Sequence, residues 1–144
     1  MTSELAAVVV HWQDPAETLA CVESLRAEPP ARIIVVDNGA REPIGALLAA
    51  RAPHVTVIRE SENLGYAGGA NVGIRAALAA GARIVLLLNN DARVGPGAQA
   101  AAGAALAVDP HIAVVGAKVV TREDPARLWL AWGRVTYRQS LVAL

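Results

Sequence analysis

The sequence predicts an α/β fold: a mainly parallel sheet flanked by helices, with short antiparallel strands at the C-terminal end. Three observations carry this. Four apolar runs of strand length (Ala6–His11, Arg32–Val36, Val55–Ile58 and Arg83–Leu88) are mostly near-continuous, which suits strands covered on both faces. Segments with helix start and stop signals separate them. The resulting β-α-β-α-β-α-β order implies parallel pairing through right-handed crossovers.

Each helix has a local cause. Asp14-Pro15-Ala16-Glu17 supplies an N-cap, a proline at the first helical position and a glutamate at the third. A helix over Pro15–Ala27 follows, and Pro29-Pro30 stop it. Pro43–Ala52 and Gly69–Ala80 are the next two helices, the latter ended by Gly81, and a fourth runs from Gly97 to Val108. Beyond Pro110 the rhythm changes. Ile112–Gly116, Lys118–Thr121, Leu128–Trp132 and Arg134–Tyr137 read as short strands with no helix between them. Without an internal repeat or linker, residues 1–144 read as a single domain.

Composition narrows the class. A chain of 144 residues buries roughly two-thirds of its unfolded surface, and a 54% hydrophobic content excludes disorder. Phe is absent, so Ala, Val, Leu and Ile fill the core. Basic and acidic residues balance at 13 each with no like-charge block, which leaves no footprint for nucleic acid. The single cysteine, Cys21, fits a reducing cytoplasm. Met1–Trp12 lacks the basic start of a secretory signal, and no apolar run reaches the length of about 20 residues that spans a bilayer.

In open α/β sheets, ligands sit at the carboxyl ends of the strands, and three polar motifs fall there. Asp37-Asn38-Gly39 closes the second strand: Asp37 can accept hydrogen bonds from a ribose hydroxyl or a base N–H, while the same tripeptide is good turn chemistry with Gly39 at positive φ. Asn63 to Gly73 (NLGYAGGANVG) joins the third strand to the third helix. Its glycines allow close backbone approach to a ligand ahead of a helix N-terminus, or close helix–sheet packing. The spacing is neither a dinucleotide fingerprint nor a P-loop. Asn89-Asn90-Asp91 closes the fourth strand. A carboxylate there is a hard ligand for a divalent cation that borrows phosphate oxygens from its substrate, or part of a helix-entry turn. His11 ends the first strand at the same edge, where packing is the simpler role; His54 and His111 lie in loops. Trp129 and Trp132 either line a pocket or cover the sheet.

Together these motifs resemble family 2 glycosyltransferases of the GT-A (Rossmann-like) fold, especially the rhamnosyltransferase-like branch. VVVHWQDPAETLACVESL resembles that family's opening strand and helix, IIVVDNG its second strand and ENLGYAGGANVGIRAAL its glycine-rich segment. LLLNNDARV resembles its metal-binding strand end and DPHIAVVGAKVV the strand beyond. The resemblance implies a nucleoside diphosphate sugar donor, UDP- or dTDP-linked, and Mg2+ or Mn2+ held by Asp91 as a Lewis acid. It implies that His11 and Trp12 border the base and that Asp37 contacts base or ribose, with Asn38 beside it. Gly65, Gly68, Gly69 and Asn71 would lie along the nucleotide, and Asn89-Asn90-Asp91 stands at the family's D-x-D position. His11, Ala70 and Asn89 depart from the residues most common at their positions.

These enzymes transfer with inversion to a saccharide or other hydroxyl acceptor, using an Asp or Glu base from a downstream acidic motif. After Asp91 the only acids are Asp109, Glu123 and Asp124, none in such a setting, so the base is expected beyond Leu144 and the chain reads as truncated. Self-association through the face so exposed is expected, as is a cytoplasmic location, peripheral at the inner membrane face for a full-length enzyme. The alternative is a non-catalytic nucleotide-sugar-binding fragment that needs a partner chain. A sugar-1-phosphate nucleotidyltransferase is disfavoured, because HWQDPAE stands where a glycine-rich basic loop belongs.

Overall fold

The computed structural model describes residues 4–131, together with the backbone of 134–135 and 142–143. The chain forms two compact units, residues 1–96 and 97–144. In the first unit the order is β1 (Leu5–His11), α1 (Pro15–Ser24), β2 (Arg32–Asn38), α2 (Gly45–Arg51), β3 (Val55–Glu60), α3 (Gly65–Ala79) and β4 (Ile84–Asn89). A 3-10 turn over Leu25–Ala27 extends α1 to the end expected from the sequence. All four strands pair in parallel, in the order β3-β2-β1-β4. The mainly parallel α/β architecture is therefore as the sequence predicts.

That order has a topological consequence. The chain steps outward from β1 to β2 to β3 and then returns to pair β4 with the free side of β1. Crossover handedness then places α1 and α2 on one face and α3 on the other. Core packing shows the split. Ala7, Val9, Ile33 and Val35 pack with Cys21, Val22 and Leu25 beside α1 and with Ile44 and Leu48 beside α2. Ala6, Val8, Ile34 and Val36 pack against Ala77, with Val72 and Ala76 beside it on α3. Strand side chains alternate, so residue parity decides which layer each joins. The gap between the carboxyl ends of β1 and β4 is the switch point where such sheets bind ligands.

The expected start of α3 needs adjustment. The helix begins at Gly65 rather than Gly69, so the glycine-rich segment is mostly helix and not loop. The cause lies in two asparagines, since Asn38 Oδ1 accepts from Leu64 N (3.1 Å) and Asn63 Oδ1 accepts from Gly65 N (2.8 Å). Backbone donors that a helix start leaves unpaired are thereby engaged one turn earlier. At α1 the predicted N-cap forms, with Glu17 N donating to Asp14 Oδ1 at 3.1 Å.

The second unit contains α4 (Ala98–Leu106) and two antiparallel pairs, β5 (Val119–Val120) with β6 (Leu128–Leu130) and β7 (Arg134–Val135) with β8 (Val142–Ala143). Ile112–Gly116, expected as a strand, forms none: it pairs with no described segment, and Val114 is 85% exposed. Trp129 projects with 77% of its surface exposed, and Trp132 lies outside the described residues. Among the described residues no helix is long and apolar enough to cross a membrane.

Candidate active site

A cleft of about 440 Å³ opens at the β1/β4 switch point, lined by Val10, Trp12, Asn38, Asn63, Gly65, Tyr66, Asn89, Asn90 and Asp91. Register explains its membership. Val10 stands opposite Val36 on β2 and Asn89 on β4, so these three side chains share the α3 face of the sheet, and Asn38 follows two residues after Val36. His11 stands opposite Asp37, and both point to the α1/α2 face instead.

One wall of the cleft is an asparagine clamp. Asn38, fully buried at the end of β2, donates through Nδ2 to Asn63 Oδ1 (3.1 Å) and to the Gly65 carbonyl (3.0 Å). With its Oδ1 bond to Leu64 N, its amide is spent on holding residues 63–65 in place. Gly65 takes φ +70°, a left-handed conformation open to glycine, and a Cβ there would meet nothing within 4 Å. Gly39 fits more tightly. At φ +69° it lies where a Cβ would stand 2.3 Å from the Glu62 carbonyl carbon and 2.5 Å from Asn63 N.

The other wall is the turn after β4. Asn90 Nδ2 donates to Thr18 Oγ1 (3.2 Å) and the Gln13 carbonyl (3.4 Å). Cys21 Sγ donates to the Asn89 carbonyl at 3.5 Å. Arg93 pairs with the Glu17 carboxylate and donates to the Glu17 carbonyl at 3.3 Å. Val94 N donates to Ser24 Oγ at 3.0 Å. The turn is therefore stitched along the length of α1. Between the walls, Trp12 and Tyr66 present half-exposed aromatic faces, 53% and 50% accessible, and partial burial pushes the Tyr66 phenol above its ordinary pKa.

The structure thus brings together Trp12, Asn38, Gly65, Asn89, Asn90 and Asp91 of the residues expected at the site. It does not bring in His11, Asp37, Gly68, Gly69 or Asn71. The Asp37 carboxylate is buried and accepts from Ala40 N (3.1 Å), Ile44 N (3.3 Å) and the Arg59 guanidinium, so it organises the turn into α2. His11 is buried, with Nδ1 2.7 Å from Thr18 Oγ1, and desolvation pushes its pKa below 6.5. A Cβ on Gly69 would stand 2.9 Å from Val10 Cγ1, and one on Gly73 2.3 Å from Val8 Cγ1. These two are packing glycines against the sheet, the plainer of the two roles open to them. Asn71 is exposed on α3 and is not among the residues that line the cleft. Val10, Asn63 and Tyr66 were missed; strand parity points to Val10, and Asn63 and Tyr66 stand inside the segment already singled out.

Among the described residues no three His, Cys, Asp or Glu side chains gather into a self-sufficient metal cage. Asp91 alone supplies charge among the cleft-lining side chains. That donor set suits a hard divalent cation that arrives with oxygens from a diphosphate.

A parallel sheet with its cleft at the switch point, one acid at the rim and two aromatic faces defines an α/β domain whose candidate ligand site lies at the strands' carboxyl ends. Residues 7–142 match the Glycosyl transferase family 2 profile, and the chain belongs to that family. It is 34% identical over 132 residues to Galactofuranosyltransferase GlfT1 of Mycobacterium tuberculosis, in both the CDC 1551 / Oshkosh and the ATCC 25618 / H37Rv strains. The match covers 89% of this chain but 43% of those relatives, so the chain spans less than half their length. Among solved structures, S. aureus TarS is similar in fold, with a TM-score of 0.53 at 17% identity, over 72% of this chain and 32% of that one.

Proposed function

We propose that this chain carries the donor-binding part of a glycosyltransferase, taking a nucleoside diphosphate sugar in the β1/β4 cleft. The observation that supports it is the juxtaposition, in a family 2 chain, of the clamped Asn63–Gly65 wall with the Asn89–Asp91 turn across one cleft. Trp12 and Tyr66 offer faces for the base, and the Gly65 backbone lets the ligand approach closely. Asp91, flanked by Asn89 and Asn90, would hold Mg2+ or Mn2+. When bound, that ion supplies charge neutralisation for the departing nucleoside diphosphate.

Transfer to a saccharide or other hydroxyl acceptor with inversion also needs a base for the acceptor proton. Asp91 is the one acid among the described residues lining the cleft, and a carboxylate committed to a cation cannot also take that proton. The base therefore comes from outside this lining. The same observation favours a second reading, donor binding without transfer by this chain alone. Donor hydrolysis or sugar transfer by the isolated chain, abolished in Asp91→Ala, would refute that second reading.

A UDP- or dTDP-linked donor is part of the proposal. The rhamnosyltransferase-like resemblance and the galactofuranosyltransferase relative supply the two sugars to compare first. A cytoplasmic setting is proposed as well, in keeping with the buried Cys21 thiol, which forms no disulfide. Calorimetric titration of the folded chain with UDP, dTDP and GDP, with and without Mn2+, tests the central reading. Binding of one pyrimidine nucleotide, strengthened by Mn2+, is expected. In Asp91→Asn the Mn2+-dependent gain should vanish while metal-free binding persists. Absence of binding by all three nucleotides ends the proposal.

A further inference from the structure

We infer that Thr18 is a positioning residue for the Asn89–Asp91 turn, with His11 fixing the direction of its hydroxyl so that one lone pair faces Asn90. This rests on the cleft being a nucleoside diphosphate site. Neither residue lines the cleft; both are buried beneath it, between β1 and α1.

Three groups surround Thr18 Oγ1: His11 Nδ1 at 2.7 Å, the Asp14 carbonyl oxygen at 3.3 Å and Asn90 Nδ2 at 3.2 Å. A hydroxyl has one proton and two lone pairs. The Asn90 amide nitrogen can only donate, and the Asp14 carbonyl can only accept. All three contacts are satisfied together in one arrangement. The hydroxyl donates to Asp14 and accepts from both Asn90 and a His11 Nδ1–H. His11 is then the Nδ1–H tautomer, with Nε2 a bare acceptor. Nε2 is the one buried side-chain polar atom without a hydrogen-bond partner among the described residues. Polar atoms this deep are normally paired, and the opposite tautomer would bury an unpaired N–H donor at Nε2 in place of a bare lone pair.

The backbone around this knot is demanding. Gln13 and Asp14 both take left-handed conformations, at φ 59° and 50°. Asn90 reaches the Gln13 carbonyl in the same stroke that it reaches Thr18. Other ties from α1 to this turn end on the Asn89 carbonyl, on Arg93 and on Val94 N. The Thr18 hydroxyl, by contrast, holds a cleft-lining side chain, and it does so at a shorter distance than the Gln13 carbonyl.

The test compares Thr18→Val, which removes the hydroxyl at constant shape, with Thr18→Ser, which keeps it. Both are first checked for native circular dichroism. Binding of the nucleoside diphosphate that the wild type takes is then titrated with and without Mn2+. Thr18→Val should weaken Mn2+-supported binding about five- to tenfold, the worth of one hydrogen bond, with metal-free binding less affected. Thr18→Ser should restore wild-type affinity within about twofold. Wild-type affinity in Thr18→Val, or equal losses in both variants, would overturn the inference. A wild type that binds no nucleotide sinks the reading of the cleft, and the His11–Thr18–Asn90 tie is then judged by long-range 1H–15N NMR of His11. A neutral Nδ1–H tautomer that becomes mixed in Thr18→Val supports the tie, and an Nε2–H tautomer in the wild type overturns it.

Discussion

His11 carries a titratable ring in a site with no solvent contact, and that alone makes the stability of the chain sensitive to pH. Desolvation is the largest influence on it and holds its pKa below 6.5; nearby Asp37 and Asp14 oppose this, and Arg59 adds to it. In the unfolded chain the same ring titrates near 6.5. Between those two values the unfolded state binds more protons, so stability rises with pH across the window and is lost as pH falls below about 6.5. Urea denaturation between pH 5.5 and 7.5 should show this slope, and His11→Gln should flatten it. An unchanged slope in the variant would mean that other groups set the acid response. The site's residues were legible in the sequence by motif, but their assignment to the cleft was not. The end-of-strand position of Asp37 and His11 shows in the sequence; the face of the sheet depends on pairing register, which motifs do not encode. Once Val10 is set opposite Val36 and Asn89, parity sends Asp37 and His11 to the opposite layer.

At the scale of elements, α3 is held close to the sheet by its small residues. Gly73 faces Val8 and Val36, and a methyl group there would press to 2.3 Å from Val8 Cγ1. Gly73→Ala should therefore cost about 1–3 kcal/mol by overpacking. Gly45, the first residue of α2, provides the contrast, since a Cβ there meets nothing within 4 Å. Gly45→Ala should be neutral or stabilising by up to about 1 kcal/mol. Thermal unfolding of the pair decides the matter, and equal melting temperatures would contradict this account of α3. The sequence placed every element of residues 1–96, because apolar runs and caps are local signals. It placed the start of α3 four residues late, because the groups that begin the helix come from Asn38 on a distant strand as well as from Asn63. Ile112–Gly116 failed as a strand for a related reason: its composition permits pairing, but no described segment offers a partner.

For the whole molecule, the contrast is between a first unit with a buried two-sided core and a second in which several large apolar side chains of the described residues are exposed. Val108, Val114, Leu128, Trp129 and Leu130 all lie open to solvent in residues 97–131. Apolar surface of that kind drives association. Sedimentation velocity over a hundredfold concentration range should show species growing with concentration, and Trp129→Lys should reduce them. A single monomeric species throughout would count against this.

The contact between Gly39 and the Glu62–Asn63 backbone gives the cleft a handle on its outer side. Position 39 lies outside the lining, yet the hydrogen that stands in for a side chain there lets Asn63 sit where it clamps Gly65. Adding bulk at 39 would press on the Glu62–Asn63 backbone and shift that wall without changing the identity of any lining side chain. For the donor proposed to enter this cleft, remote steric pressure at position 39 is then a way to grade affinity with Asp91 left in place.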